Sequence, residues 1–218
     1  MYGLNENNMK RYSGTTTLAI KCKDGVVLGS DTRVTAGYFI AHKSGKKIFK
    51  IKDHLAVTIA GVVADAQAII DSLKFYANLY EVNYRRPMNT RSAAKLLSLI
   101  LYQNRLYPLI TELIVAGKDN DGYSIYKLDP FGSLVEDKYA VSGSGSTIAV
   151  GVIESEYRDD MDIEKGIQLA IKALISAMKR DIGSGDDFNI AVITDEGYRE
   201  LDRETKEKYL SEFDSLKT

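Results

Sequence analysis

Residues 14–30 read GTTTLAIKCKDGVVLGS, and the fold turns on how this stretch is read. From Thr15 to Cys22 polar and apolar residues alternate, with a β-branched start, which is the period of a half-buried strand. Lys23-Asp24-Gly25 is a turn signal, and Val26–Ser30 is a second apolar run. The two runs are expected to pair as a hairpin, which makes their sheet antiparallel. Lys47–Ile51 and Leu55–Ala60, on either side of Lys52-Asp53-His54, read as a second hairpin after a polar turn over residues 42–47.

Beyond residue 60 the period changes. Residues 64–80 carry apolar side chains at 66, 69, 70, 73, 76, 77 and 80, a helical stripe with Asp65 near its positive end. A second helix is expected over Thr90–Leu106, with Thr90 as its N-cap and Ala93, Leu96, Leu97, Ile100 and Leu101 on one face. Strands follow at Leu109–Gly117 and Tyr123–Leu128, then short ones near Ser133–Val135 and Tyr139–Ser142. Helices are expected at Ser146–Glu154 and from Asp162, a capping residue, to about Lys179, before a last strand at Phe188–Thr194. The charged tail from Asp195 reads as an exposed end. The three prolines, at 87, 108 and 130, all fall at expected element boundaries. Hairpin strands alternating with paired helices predict an α+β architecture, two mainly antiparallel sheets with helices outside, stacked as helix, sheet, sheet and helix.

Composition narrows the function. A chain of 218 residues with 44% hydrophobic content can bury a core without staples. The formal net charge of −1 gives no bulk attraction to nucleic acid or to an acidic membrane. One cysteine, Cys22, excludes an intrachain disulfide framework and a cysteine-rich zinc site, and fits a reducing cytoplasm. Its place in a strand makes it a small core residue rather than a nucleophile. No apolar run approaches the ~20 residues that span a bilayer. The first 14 residues, MYGLNENNMKRYSG, lack the apolar core of a secretory signal.

Few residues offer chemistry. His42 and His54 lie in turn-like contexts, assign no Ser/His/Asp triad and have no metal-site spacing, so no metal or cofactor is expected. Ser142-Gly143-Ser144-Gly145-Ser146 is a Gly-rich entry to a helix, which alone is weak evidence for phosphate binding. The Gly14–Thr15 junction allows two readings. Gly14 is the last turn of a polar leader, or the leader is removable and Thr15 becomes an N-terminus. In the second case Thr15 gains an α-amine, which titrates at roughly 7.7–8.0 and can accept a proton near neutral pH. Nucleophile and base then share one residue, a known variant of triad logic.

Six motifs in order resemble the β subunits of the 20S proteasome, particularly the archaeal type, across nearly all of residues 14–195. They are Gly14-Thr15-Thr16-Thr17, Gly29-Ser30-Asp31-Thr32-Arg33-Val34, Lys43-Ser44-Gly45-Lys46-Lys47-Ile48, Ala60-Gly61-Val62-Val63-Ala64-Asp65, Ser142-Gly143-Ser144-Gly145-Ser146 and Arg180-Asp181-Ile182-Gly183-Ser184-Gly185. The resemblance implies an N-terminal nucleophile hydrolase, a four-layer sandwich with residues 1–14 as a propeptide and 15–218 as one catalytic domain. It implies a zymogen cut autocatalytically between Gly14 and Thr15. Thr15 would be the nucleophile, with Lys47 charging its surroundings and Asp31 holding Lys47. Ser144, Asp181 and Ser184 would position the amine, and Gly61 would donate to the oxyanion. Arg33 would support the carboxylate network or be structural. Val34, Gly45, Ile59 and Val63 would line the substrate pocket and favour hydrophobic residues before the cut. The implied partners are proteasome α subunits and other β subunits in stacked seven-membered rings, a regulatory ATPase acting through the α rings, and unfolded polypeptides. A non-catalytic ring subunit of the same fold is the alternative. A shorter bacterial two-ring relative lacks the Asp181-x-x-Ser184 arrangement.

Overall fold

The first hairpin forms in register. In the computed structural model, which describes residues 14–215 and the side chains of residues 14–211, β1 (Thr17–Cys22) pairs antiparallel with β2 (Gly25–Asp31) from Thr17 opposite Ser30 to Cys22 opposite Gly25. Period-two alternation then assigns the faces of β1. Leu18, Ile20 and Cys22 join one apolar cluster, whereas Ala19 joins another on the opposite side.

Three further strands extend this hairpin. They are β10 (Tyr139–Ser142), β11 (Phe188–Thr194) and β12 (Gly197–Glu200), and the sheet order is β10-β1-β2-β11-β12. The second sheet runs in sequence order through β5 (Ile48–Lys52), β6 (Leu55–Gly61), β7 (Thr111–Asp119), β8 (Gly122–Leu128) and β9 (Leu134–Asp137). Every pairing in both sheets is antiparallel. Leu28, Ile48, Ala56, Ile114 and Ile125 form the layer where the sheets face each other.

Among the described residues five helices cover the outer faces. Helices α1 (Val63–Tyr84) and α2 (Thr90–Gln103) pack on the second sheet through Ile69, Ile70, Leu73, Leu97 and Leu101. Helices α3 (Ser146–Glu156), α4 (Ile163–Met178) and α5 (Arg203–Ser215) lie on the first sheet's side, with Ile153, Ile171, Leu174 and Tyr209 in its outer core. The result is the expected helix–sheet–sheet–helix stack with three apolar layers. Each fully buried Leu or Ile in them contributes roughly 1.5–3 kcal/mol relative to exposure.

Several details differ from expectation. The cap of α2 is Asn89, whose side chain accepts from the Ser92 N–H at 2.7 Å; the Thr90 N–H instead donates to Asp119 at 3.2 Å. Helix α1 runs on to Tyr84 and stops at Arg85, which adopts a left-handed φ of 53°. Asp162 caps α4 as expected, accepting from the Lys165 N–H at 2.9 Å. The polar turn before β5 is preceded by an unexpected hairpin of β3 (Val34–Ala36) and β4 (Phe39–His42). The tail is not merely an exposed end, since it forms β12 and α5, buries Leu201 and Tyr209, and anchors Lys206 on the Phe188 carbonyl at 2.9 Å. Of the expected propeptide only Gly14 falls within the described residues. Among those residues no helix is long and apolar enough to cross a membrane.

Candidate active site

Thr15 lies just before β1, where the loop from β10 to α3 and the turn after α4 converge. It is 5% exposed. Because Gly14 precedes it, its nitrogen is an amide, and that N–H donates to Ser144 Oγ at 3.1 Å. Ser144 Oγ in turn lies 2.6 Å from Asp181 Oδ2, and Ser184 Oγ reaches the same oxygen at 2.6 Å. A hydroxyl has one proton, so both serines commit theirs to this carboxylate, the stronger, charged acceptor. The Thr15 carbonyl accepts from the Gly145 N–H at 3.3 Å. This close approach depends on glycine. Gly143 has φ +88°, and a side chain there would run into the Thr15 carbonyl.

Beside this cluster lies a buried ion pair. Asp31, at the end of β2, is 0% exposed, and Lys47, just before β5, is 5% exposed. Lys47 Nζ donates to Asp31 Oδ1 at 2.7 Å and to the Arg33 carbonyl at 2.6 Å. Asp31 also accepts three backbone N–H groups, from Thr16 at 2.9 Å, Gly185 at 3.0 Å and Arg33 at 3.1 Å. Burial pushes the Lys47 ammonium below its ordinary range, against the opposing pull of Asp31. Burial likewise pushes the Asp31 carboxyl up, against Lys47 and its N–H donors. Such a pair is expensive to desolvate, and here four donors on the two Asp31 oxygens and two acceptors on Lys47 offset that cost.

The two networks reach one cavity of about 440 Å³ through Thr15 and Lys47. Thr15 and Lys47 line it, together with Val34, Gly45, Ile59, Gly61 and Val63. Gly61 carries φ +123°, and a Cβ would collide with the Ile110 carbonyl, so only glycine fits at this wall. Ile59 is 5% exposed and Val63 44% exposed, so the two occupy a deep and an open position. Among the described residues no group of three or more His, Cys, Asp or Glu is placed to hold a metal ion.

The sequence comparisons show the family. The family model described as "Proteasome subunit" matches residues 12–193. The chain belongs to the proteasome subunit family. It is 46% identical over 193 residues to a proteasome subunit beta 2 of Nitrosopumilus maritimus, covering 88% of this chain and 92% of that one. It is 46% identical over 204 residues to a proteasome subunit beta of Methanocaldococcus vulcanius, covering 93% and 92%. A proteasome subunit beta of Methanothermobacter thermautotrophicus is 43% identical over 203 residues, covering 93% and 97%. The chain is thus a proteasome core subunit of archaeal β type, which assembles with other proteasome subunits.

The structure also divides the two readings of Arg33. Its guanidinium donates to Asp186 at 2.9 Å and to the Ile182 carbonyl at 3.0 Å, away from Asp31. Its backbone serves the pair instead, the N–H to Asp31 and the carbonyl to Lys47. Further lining residues of the cavity were not singled out in the sequence, among them Thr35, Phe49 and Gln67. Thr35 sits on the exposed β3–β4 hairpin, which has no clean alternation to mark it. Cys22 is 2% exposed, and burial pushes its thiol up to about 12, so it packs as an inert core group.

Proposed function

We propose that this chain is a threonine-type endopeptidase subunit of the proteasome core, made as a zymogen and activated by cleavage of Gly14–Thr15. In this reading residues 1–14 are the propeptide and residues 15–218 one catalytic domain. The observation that carries the proposal is the position of Thr15. Its nitrogen is held by Ser144, and it lines the same cavity as the buried Lys47.

Activation uses the chain on itself. Thr15 Oγ1 attacks the Gly14 carbonyl carbon, and its proton passes to the departing Thr15 nitrogen. The Gly14 C–N bond breaks, leaving an ester on Oγ1 and a free α-amine. Water hydrolyses the ester and releases the leader with a new carboxylate. Gly14 suits this step because its surroundings are tight. A Cβ there would overlap the Thr35 hydroxyl and lie 2.9 Å from Gly183 Cα.

Peptide hydrolysis repeats the chemistry on a bound substrate. The neutral α-amine takes the proton of Oγ1 as that oxygen attacks the scissile carbonyl. The carbonyl electrons move to oxygen, and the Gly61 N–H stabilises the resulting oxyanion. The ammonium returns the proton to the leaving nitrogen, the C–N bond breaks, and an acyl ester remains on Thr15. Water, deprotonated by the amine, then releases the second product and restores the hydroxyl. Lys47 supplies fixed positive charge that favours the developing alkoxide and keeps the nearby amine neutral. Asp31 holds Lys47, and the Ser144–Asp181–Ser184 cluster orients the amine. Val34, Gly45, Ile59 and Val63 receive the residue before the cut, which favours hydrophobic side chains.

The assembly is proposed to be stacked seven-membered rings with α subunits outside, fed with unfolded polypeptides by a cytoplasmic ATPase acting on the α rings. The test is to co-express the chain with an α subunit and to measure the mass of the assembled β chain and its activity on a fluorogenic peptide. Loss of residues 1–14, activity after a hydrophobic residue, and no activity in Thr15→Ala are expected. A competent particle carrying the leader on every copy overturns the proposal.

A further inference from the structure

Thr16 touches both polar networks of the site. Its side chain is 0% exposed. Its N–H donates to Asp31 Oδ1 at 2.9 Å, the same oxygen that accepts from Lys47. Its carbonyl accepts from the Asp31 N–H at 3.1 Å. Its hydroxyl lies 2.7 Å from Ser184 Oγ. The direction of that last bond follows from proton counting. Ser184 gives its single proton to Asp181 at 2.6 Å, so the Thr16 hydroxyl is the donor. The chain of bonds therefore runs from Thr16 to Ser184 to Asp181, and Asp181 also receives Ser144, which receives the Thr15 N–H. Space for the Thr16 hydroxyl is made by Gly145, where a Cβ would overlap it and approach Asp181 Oδ2 to 3.2 Å.

We propose that Thr16 is a positioning residue that ties the Asp31–Lys47 pair to the Ser144–Asp181–Ser184 cluster, and so fixes the charge on Lys47 relative to the nitrogen of Thr15. This inference rests on the catalytic reading above. The backbone of Thr16 anchors Asp31 whatever its side chain, so the hydroxyl can be removed without dismantling the ion pair. Without it, Ser184 loses a donor and keeps only Asp181. The carboxylate then loses one of the restraints that aim it at Ser144, and Ser144, the acceptor of the Thr15 nitrogen, is held less firmly.

The test compares Thr16→Val, which keeps the branched shape and removes the hydroxyl, with Thr16→Ser, which keeps the hydroxyl. Both are expressed from Thr15 onward and assembled with α subunits, so that processing does not enter. Loss of one buried hydrogen bond that acts in the transition state predicts about a tenfold lower kcat for Thr16→Val, with little change in KM. Its acid limb in the kcat–pH profile should move, because the amine sits in an altered field. Thr16→Ser should recover most of the loss. Thr16→Val with the parental kcat and pH profile overturns the inference, as does Thr16→Ser no better than Thr16→Val. If Thr16→Val does not assemble, Thr16→Ala carries the same expectation, and failure of both to assemble means that the role is structural and the inference falls. Thr15→Ala in parallel keeps the two levels apart. Activity there sinks the nucleophile assignment, whereas an inactive Thr15→Ala beside a parental Thr16→Val sinks only the role of Thr16.

Discussion

Replacing Asp31 by Asn changes no volume and removes one charge, and the structure allows its cost to be worked out. Oδ1 accepts from Thr16 N–H and Lys47 Nζ, and Oδ2 from Arg33 N–H and Gly185 N–H. An amide has only one oxygen, so either placement points its NH₂ at two donors. At least two donors are then orphaned in a site that is 0% exposed. Removing one partner of a buried pair costs about 3–5 kcal/mol. Lys47 loses its counter-charge at the same time, and its ammonium, already pushed down by burial, is pushed further. If that energy is lost from the transition state, at about 1.4 kcal/mol per decade, the rate falls by roughly two to four orders of magnitude. The assay is kcat on a fluorogenic peptide with leucine before the cut, using Asp31→Asn particles expressed from Thr15 onward so that failed processing is not mistaken for failed catalysis. A rate within about threefold of the parent, in particles of normal mass, would refute the assigned role of the pair; that margin is well under one decade of barrier.

Three further outcomes are expected. The kcat–pH profile should fall on its alkaline side below the ordinary lysine range, because a lowered Lys47 pKa means the ammonium is lost at a lower pH; a plateau persisting through that range counts against it. Gly14→Ala should slow removal of the leader, since the added Cβ overlaps the Thr35 hydroxyl and crowds Gly183, while those Gly14→Ala particles that have lost the leader keep full activity per processed chain; a mass time course reads the first and a peptide assay the second. Gly45→Ala places a Cβ against Val34 at the cavity wall, so the kcat/KM ratio of leucine over alanine substrates should drop by about tenfold, the scale of one methylene in an apolar pocket.

The sheets were legible in the sequence because alternation and turn residues coincide there. Leu18, Ile20 and Cys22 against Ala19 mark two faces without any outside knowledge. The β3–β4 hairpin was not legible, since the successive β4 residues Phe39 and Ile40 are both apolar and both exposed, and so break the rule that a strand's polar face meets solvent. Helix α5 was missed for a related reason. Among its described side chains Tyr209 and Leu210 pack on the core and Lys206 reaches a backbone carbonyl, and in the sequence these are set among charged residues. The Thr90 cap failed because Asn89 competes one residue earlier with a side chain that reaches Ser92. At the site, residue types alone left Thr15 undecided between a turn and a nucleophile. What sequence spacing cannot convey is that Ser144, Asp181 and Ser184, 129 or more positions from Thr15, close on its nitrogen.

The two members of the ion pair are not equally structural, and that inequality separates a scaffold from a catalyst. Asp31 organises backbone. Three N–H groups from three segments end on it, and a carboxylate with that many N–H donors is well solvated by the protein itself. Lys47 organises little. It donates to Asp31 and to one carbonyl, and burial works against its charge. A subunit that only fills a ring position has no need of this pair, because a buried pair exchanged as a whole for well-packed apolar chains is often no less stable. Lys47→Met leaves the Asp31 carboxylate without its counter-charge but still on its three N–H donors, so it should cost less thermal stability in the assembled particle than Asp31→Asn, which orphans backbone donors as well. Yet it should abolish both leader removal and peptide hydrolysis, because the charge that favours the Thr15 alkoxide is gone. Thermal denaturation and N-terminal mass of the two variants, side by side, read both halves. A Lys47→Met particle that processes itself and cleaves peptide, or one that melts below Asp31→Asn, would show that the ammonium is retained for packing and not for chemistry.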